Sequence, residues 1–219
     1  MADDLQEKIL QATIKLFSQH GPEKVTMRDI ASECGISVGN LTYHYHKKES
    51  LFSAVYKEML KRTLNRYREC VSVDEGEENP WVTYVAINYA HLHTVAHDEN
   101  GISAYVYSMR FPMAREAYVS ANNELLINCL GEKAHTLGLQ KLWVACMVGC
   151  GGEFEAMQAY MGRKNEYGFD QLIIPTITAR LYVAGIDHSE IEPTVSLGVQ
   201  AGRDLLSSNE TFSYLIEHS

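Results

Sequence analysis

At 219 residues, with 46% hydrophobic and 21% charged side chains, the chain has the composition of a globular protein that buries a sizeable core, and no apolar run approaches the ~18 residues of a membrane span. The acidic, amphipathic start MADDLQEKIL has neither the basic head nor the unbroken apolar stretch of a secretory signal, so the expected location is cytoplasmic, with the five cysteines as reduced thiols. The net charge of −9 argues at first against a nucleic-acid partner, but residues 1–70 carry 11 Lys+Arg against 9 Asp+Glu while the rest carries 8 against 19, a weakly basic head on an acidic body.

In chain order, residues 5–20 read as a helix, with Leu5, Ile9, Ala12, Leu16 and Phe17 recurring on one face; Gly21 and Pro22 stop it. Thr26 is placed as an N-cap with Asp29 in capping-box position, and Ile30, Ala31 and Cys34 form the inward face of a short second helix that Gly35 ends. Ser37 caps a third helix whose inward residues are Leu41 and Tyr45. Three short helices joined by turns this tight form a helix-turn-helix. A fourth helix starts near Lys48 and runs through Leu51, Val55, Met59 and Leu64 toward Cys70, and the acidic stretch 71–80, closed by Pro80, is a natural boundary. Beyond it the spacing predicts helices over 81–98, 101–110, 113–137, 139–162, 168–185 and 191–217. Period-2 alternation is not sustained anywhere, so the predicted fold class is all-α.

The run TMRDIASECGISVGNLTYHYHKKESLF (26–52) resembles the DNA-binding domain of the TetR/AcrR family of regulators, with Ala31, Gly35 and Ser37 at the turn, a recognition helix over 38–45, and Lys48-Glu49-Ser50-Leu51 opening the next helix. The match covers roughly residues 5–60. It implies a helix-turn-helix domain over 1–47, a connecting helix over 48–70, and a larger helical effector-binding and dimerisation domain over 71–219. It also implies a homodimer that binds a palindromic operator in double-stranded DNA, acts as a repressor, and is released by a small molecule.

The residue chemistry agrees. Val38, Gly39, Asn40, Thr42, Tyr43 and His44 are the outward set of the third helix, mixing amide, hydroxyl, imidazole and aromatic groups suited to base edges and phosphates. Arg28 reaches a guanine edge or a phosphate, Thr26 and Lys48 are placed against the phosphate backbone, and Ser37 caps the end of the helix that enters the major groove. Val38 and Thr42 stand where the family often has a lysine, a proline or a second aromatic.

In the body, the apolar segment 142–161 is expected to be buried on two sides, and Gly149, Gly151 and Gly152 place the dimer interface there and on 168–185, with Pro175 bending the second helix. Tyr84, Tyr105, Met109, Phe111, Met113, Trp143, Met147 and Phe154 are candidates for lining a pocket for an apolar or aromatic effector; a stripe of this kind is also what an ordinary core looks like. His93 and His97, with His91 and Asp98 close by, or Cys146 and Cys150, offer the alternative of a metal- or thiol-responsive regulator, but no third ligand is in place and hydrogen-bonded or packing roles are simpler. No nucleophile elbow, phosphate loop or His-Glu-x-x-His helix is present; GCGGEF lacks the Lys-Ser/Thr of a phosphate loop. No catalytic residue, cofactor, resident metal or membrane partner is expected.

Overall fold

The computed structural model describes residues 2–21, 23–55, 57, 58, 65, 79–163 and 166–207. Among these there is no strand. The head comprises α1 (Ala2–His20), α2 (Met27–Glu33), α3 (Val38–His44) and α4, which is helical over 48–55 and at 57 and 58. The body comprises α5 (Pro80–His97), α6 (Glu99–Ser108), α7 (Pro112–Leu130), α8 (Lys133–Leu137), α9 (Leu139–Gly162), α10 (Phe169–Ala184) and α11 (His188–Ser207).

The head closes around the stripe that α1 carries. Ile9, Ala12, Leu16 and Phe17 are buried against Val25, Ile30, Ala31, Cys34, Leu41, Leu51 and Phe52. Phe17 and Phe52 stack with centroids 4.8 Å apart, which ties α1 to α4. Each such large side chain contributes about 1.5–3 kcal/mol by leaving water. Gly35, at φ +65°, makes the turn between α2 and α3, a backbone region that a side chain strongly disfavours.

α5 is the centre of the body. Its residues from Thr83 to Leu92 are all buried, because α6, α7, α9, α10 and α11 surround it, which is why its sequence is apolar on every face. Pro80 is the first residue of this helix and Asn79 its cap, accepting from the Trp81 amide at 3.0 Å; the missing N–H of a proline costs nothing there.

The predicted helix over 113–137 is two helices: Gly131 adopts φ +56° and separates α7 from α8. The last helix begins three residues earlier than predicted, with Pro193 inside it, and α10 continues through Pro175. Pro22, the course of α4 toward Cys70 (Met59 and Leu64 included), the stretch 71–78 and the predicted end at 208–217 lie outside the described residues.

Of Gly149, Gly151 and Gly152, two serve a purpose other than the one expected. Gly149 is buried against Arg180 of the same chain: a Cβ there would lie 2.1 Å from Arg180 Nε. A Cβ at Gly152 would meet Thr176 of α10 at 3.2 Å. Both let α9 and α10 approach within one chain, whereas Gly151 has open space around it.

Candidate DNA-binding surface

The turn is locked at two helix starts. Thr26, in extended conformation (φ −108°, ψ 164°), accepts the Asp29 amide at 3.3 Å, and the Asp29 carboxylate accepts the Thr26 amide at 2.8 Å and its hydroxyl at 2.7 Å. These bonds hold the Asp29 carboxyl below its ordinary range. They also commit the Thr26 hydroxyl proton to Asp29, so its visible role is that of a cap. Ser37 Oγ accepts the Asn40 amide at 3.1 Å and so starts α3.

α3 presents one face inward and the rest to water. Leu41 is fully buried and Tyr45 half-buried against the head core. Arg28, Ser37, Val38, Gly39, Asn40 and Tyr43 are exposed, while Thr42, His44 and Lys48 are half-buried. Tyr43 is 80% exposed and meets His44 edge-on, with centroids 5.3 Å apart. A large aromatic side chain left this bare by its own fold is informative in a way that a polar surface is not. The Thr42 hydroxyl donates to the Val38 carbonyl at 2.7 Å, which turns its methyl group rather than its proton to the outside.

Lys48 has a second neighbour that the sequence did not disclose. Its Nζ lies 5.5 Å from the centre of the Tyr107 ring, and the Arg110 guanidinium lies 6.0 Å from the same ring. Partial burial lowers the Lys48 pKa. Tyr107 also tilts against Phe52 and Phe111, and Arg110 forms a long ion pair with Glu23 at 4.0 Å. This is the joint between head and body, and Tyr107 and Arg110 build it without any local motif that marks them in the sequence.

The proposed pocket residues fall in different environments. Tyr84, Tyr105 and Met109 are sealed in the core, Phe111 and Phe154 are half-buried, Trp143 is half-buried, and Met113 and Met147 are exposed. A cavity of about 290 Å³ lies elsewhere, at the head–body joint. What the core does contain is a polar network. Arg180 donates to the Tyr84 hydroxyl at 2.7 Å, to Asn88 and Asn122 at 3.2 and 3.3 Å, and to Glu153 at 2.6 Å. In the sequence Glu153 and Arg180 stand on two largely apolar stretches, where Glu155 and Asp170 are the other charges.

His93 and His97 stack at 3.9 Å, with His97 Nδ1 against the His93 carbonyl; among the described residues no group of three or more His, Cys, Asp or Glu could hold a metal. Cys146 and Cys150 are buried, and burial raises both thiol pKa values, which keeps them protonated and poor nucleophiles. Among the described residues no helix is long and apolar enough to cross a membrane.

Among the described residues, short helices joined by a doubly capped turn, the last of them bare on its outer face, have the form of a helix-turn-helix. Residues 9–55 match the family model described as bacterial regulatory proteins, tetR family. An uncharacterized HTH-type transcriptional regulator of Bacillus subtilis (strain 168), YvdT, is 25% identical over 146 residues, 64% of this chain and 74% of its own length. The HTH-type transcriptional repressor KstR2 of Rhodococcus jostii (strain RHA1) is 34% identical over 77 residues, 32% of this chain and 38% of its own length. Among solved structures, a TetR transcriptional regulator from Rhodococcus sp. RHA1 shares the fold, with TM-score 0.59 at 17% identity, covering 84% of this chain and 96% of that one. The head thus carries a tetR-type DNA-binding domain, and the chain shares the fold of a TetR transcriptional regulator.

Proposed function

We propose that the chain is a repressor that binds a palindromic operator as a homodimer and leaves it when a small molecule occupies the body. The observation that carries the DNA half of this reading is the exposure of Tyr43 on a helix whose start is capped by Ser37. Tyr43, Asn40, His44 and Val38 are the base-edge readers, with Gly39 letting the backbone come close. Arg28, Ser37, Lys48 and the ends of α2 and α3 lie against phosphates, Thr26 acting by capping and Thr42 through its methyl. Domain roles divide as 1–47 for DNA, 48–70 for connection and 71–219 for dimerisation and sensing.

One short helix reads too few base pairs for useful specificity, so two heads about one helical turn (~34 Å) apart are needed. Val144, Met147 and Val148 of α9 and Tyr182 of α10 are exposed and apolar on adjacent helices, and they support a two-fold four-helix interface there. Repressor, rather than activator, follows the printed name of KstR2. An effector among Tyr84, Tyr105, Met109 and Phe154 must open the body to enter, and it shifts the DNA-binding equilibrium only by its differential affinity for the two states. The deciding experiment is selection of bound duplexes from a random library with the full chain at near-physiological salt. The expected result is a palindrome; a folded dimer that enriches nothing overturns the reading.

A further inference from the structure

We propose that the cleft between head and body is a binding site for a compact amphipathic monoanion, a carboxylate carried on an apolar or aromatic body. The cleft is the cavity of about 290 Å³, lined by His20, Glu23 and Lys24 from the head and by Tyr107, Arg110 and Met161 from the body. Its size lies at the lower end of small-molecule sites, which sets the ligand to be compact. It is open to solvent on one side, so a ligand enters without unfolding anything.

The charge pattern sets the sign of the ligand. Lys24 and Arg110, with the His20 imidazole beside them, face a single carboxylate, Glu23. Glu23 and Arg110 stand 4.0 Å apart with both side chains 63% exposed, the outer limit of an ion pair and one of little worth. A ligand carboxylate that takes the guanidinium through two parallel hydrogen bonds displaces Glu23 at small cost. The wall sets the rest of the ligand. Met161 is 40% exposed here and Tyr107 presents its ring, so a bare inorganic anion leaves both wet, whereas an aromatic or branched aliphatic body covers them.

The position gives the site its consequence. Tyr107 carries Lys48, at the start of the helix that follows the recognition helix, and Arg110 lies against the same ring. A ligand drawn onto Arg110 therefore touches head and body together and sets the angle between them. The site shares no residue with the aromatic core of the body and is independent of an effector there.

The test uses the full chain and sodium benzoate, with binding read by calorimetry in the absence of DNA, so that failure of the DNA reading and failure of this site are separate results. Arg110→Ala and Lys24→Ala are expected to weaken benzoate about fivefold each, and Glu23→Gln to strengthen it about twofold. Benzyl alcohol, the neutral analogue, and inorganic phosphate, the anion without an apolar body, are each expected to bind about tenfold more weakly. All three side chains are exposed, and circular dichroism confirms that the variants fold. No benzoate binding up to about 20 mM, or unchanged affinity in the Arg110→Ala/Lys24→Ala double variant, overturns the site. Phosphate binding as tightly as benzoate overturns the ligand class.

Discussion

Arg180 Nη2 lies 2.6 Å from a carboxylate oxygen of Glu153, with both side chains sealed from water and the guanidinium resting on the bare backbone of Gly149. Tyr118 donates to the second Glu153 oxygen at 3.4 Å, and the Cys150 sulfur accepts from Arg180 at 3.4 Å. Burial pushes the Glu153 carboxyl up and Arg180 pulls it down, so the carboxylate depends on its partner. Removing one partner strands the other charge. Glu153→Gln and Arg180→Met are each expected to cost about 3–5 kcal/mol in urea unfolding, while replacing both by apolar residues costs less than either alone. Losses under about 1 kcal/mol for the single variants would show that the pair is not sealed.

Gly149→Ala drives a methyl group into the guanidinium. An overpacking cost of about 1–3 kcal/mol is expected, and it should largely vanish when Arg180 is already methionine. A double-mutant cycle in urea reads that coupling, and additive losses would sink the contact.

Two histidines are expected to make the fold acid-sensitive. Burial lowers the His91 pKa from 6.5 to about 4, and burial with the neighbouring His97 lowers that of His93 to about 4. A depressed histidine pKa means that the folded chain holds the neutral ring while the unfolded chain takes up a proton. The stability so conferred is complete above pH 6.5 and is lost as the pH falls toward 4. For fully buried His91 the loss is about 3 kcal/mol across that window. His91→Phe is expected to flatten the dependence of the urea midpoint between pH 7 and 4.5; an unchanged slope would place the sensitivity elsewhere.

DNA binding separates two kinds of contact. Tyr43→Ala should weaken specific duplexes by about 1–3 kcal/mol and leave random DNA nearly unchanged. Lys48→Ala should weaken both and reduce the salt slope by about one. Equal losses on both duplexes for Tyr43→Ala would refute a base-reading role.

The dimer face is tested by charge. Val148→Glu, on an exposed position of α9, is expected to shift the chain toward monomer in sedimentation and to lower operator affinity more than tenfold without changing the monomer's helicity. A dimer that survives the substitution moves the interface off α9.

Much of the head was legible in the sequence because its signals are local. Thr26 with Asp29, Gly35 at the turn and Ser37 ahead of Asn40 each specify a backbone conformation within a few residues, and the structure places all of them where the spacing puts them. In the body, helix 139–162 was legible for the same reason, having glycine at its start. The joint and the polar centre were not. Lys48 meets Tyr107 and Arg180 meets Tyr84 across long stretches of chain, and no periodicity encodes which helices become neighbours. The glycines of α9 show the difference most clearly: the pattern announced close approach, but not that the approaching group at Gly149 is an arginine of the same chain.

The two caps have a mechanical consequence. α2 is held at Thr26, α3 is held at Ser37, and α1 is clamped to α4 through Phe17 and Phe52. A push delivered where α6 touches α1 and α4 would then swing the block as a unit, like an oar on its lock. The tip of that oar is Tyr43, so in the proposed dimer a small slip at the lock would become a large change in the gap between the two heads. A dimer built this way would report events in its body as distance, and the ruler against which that distance is judged would be the pitch of the double helix.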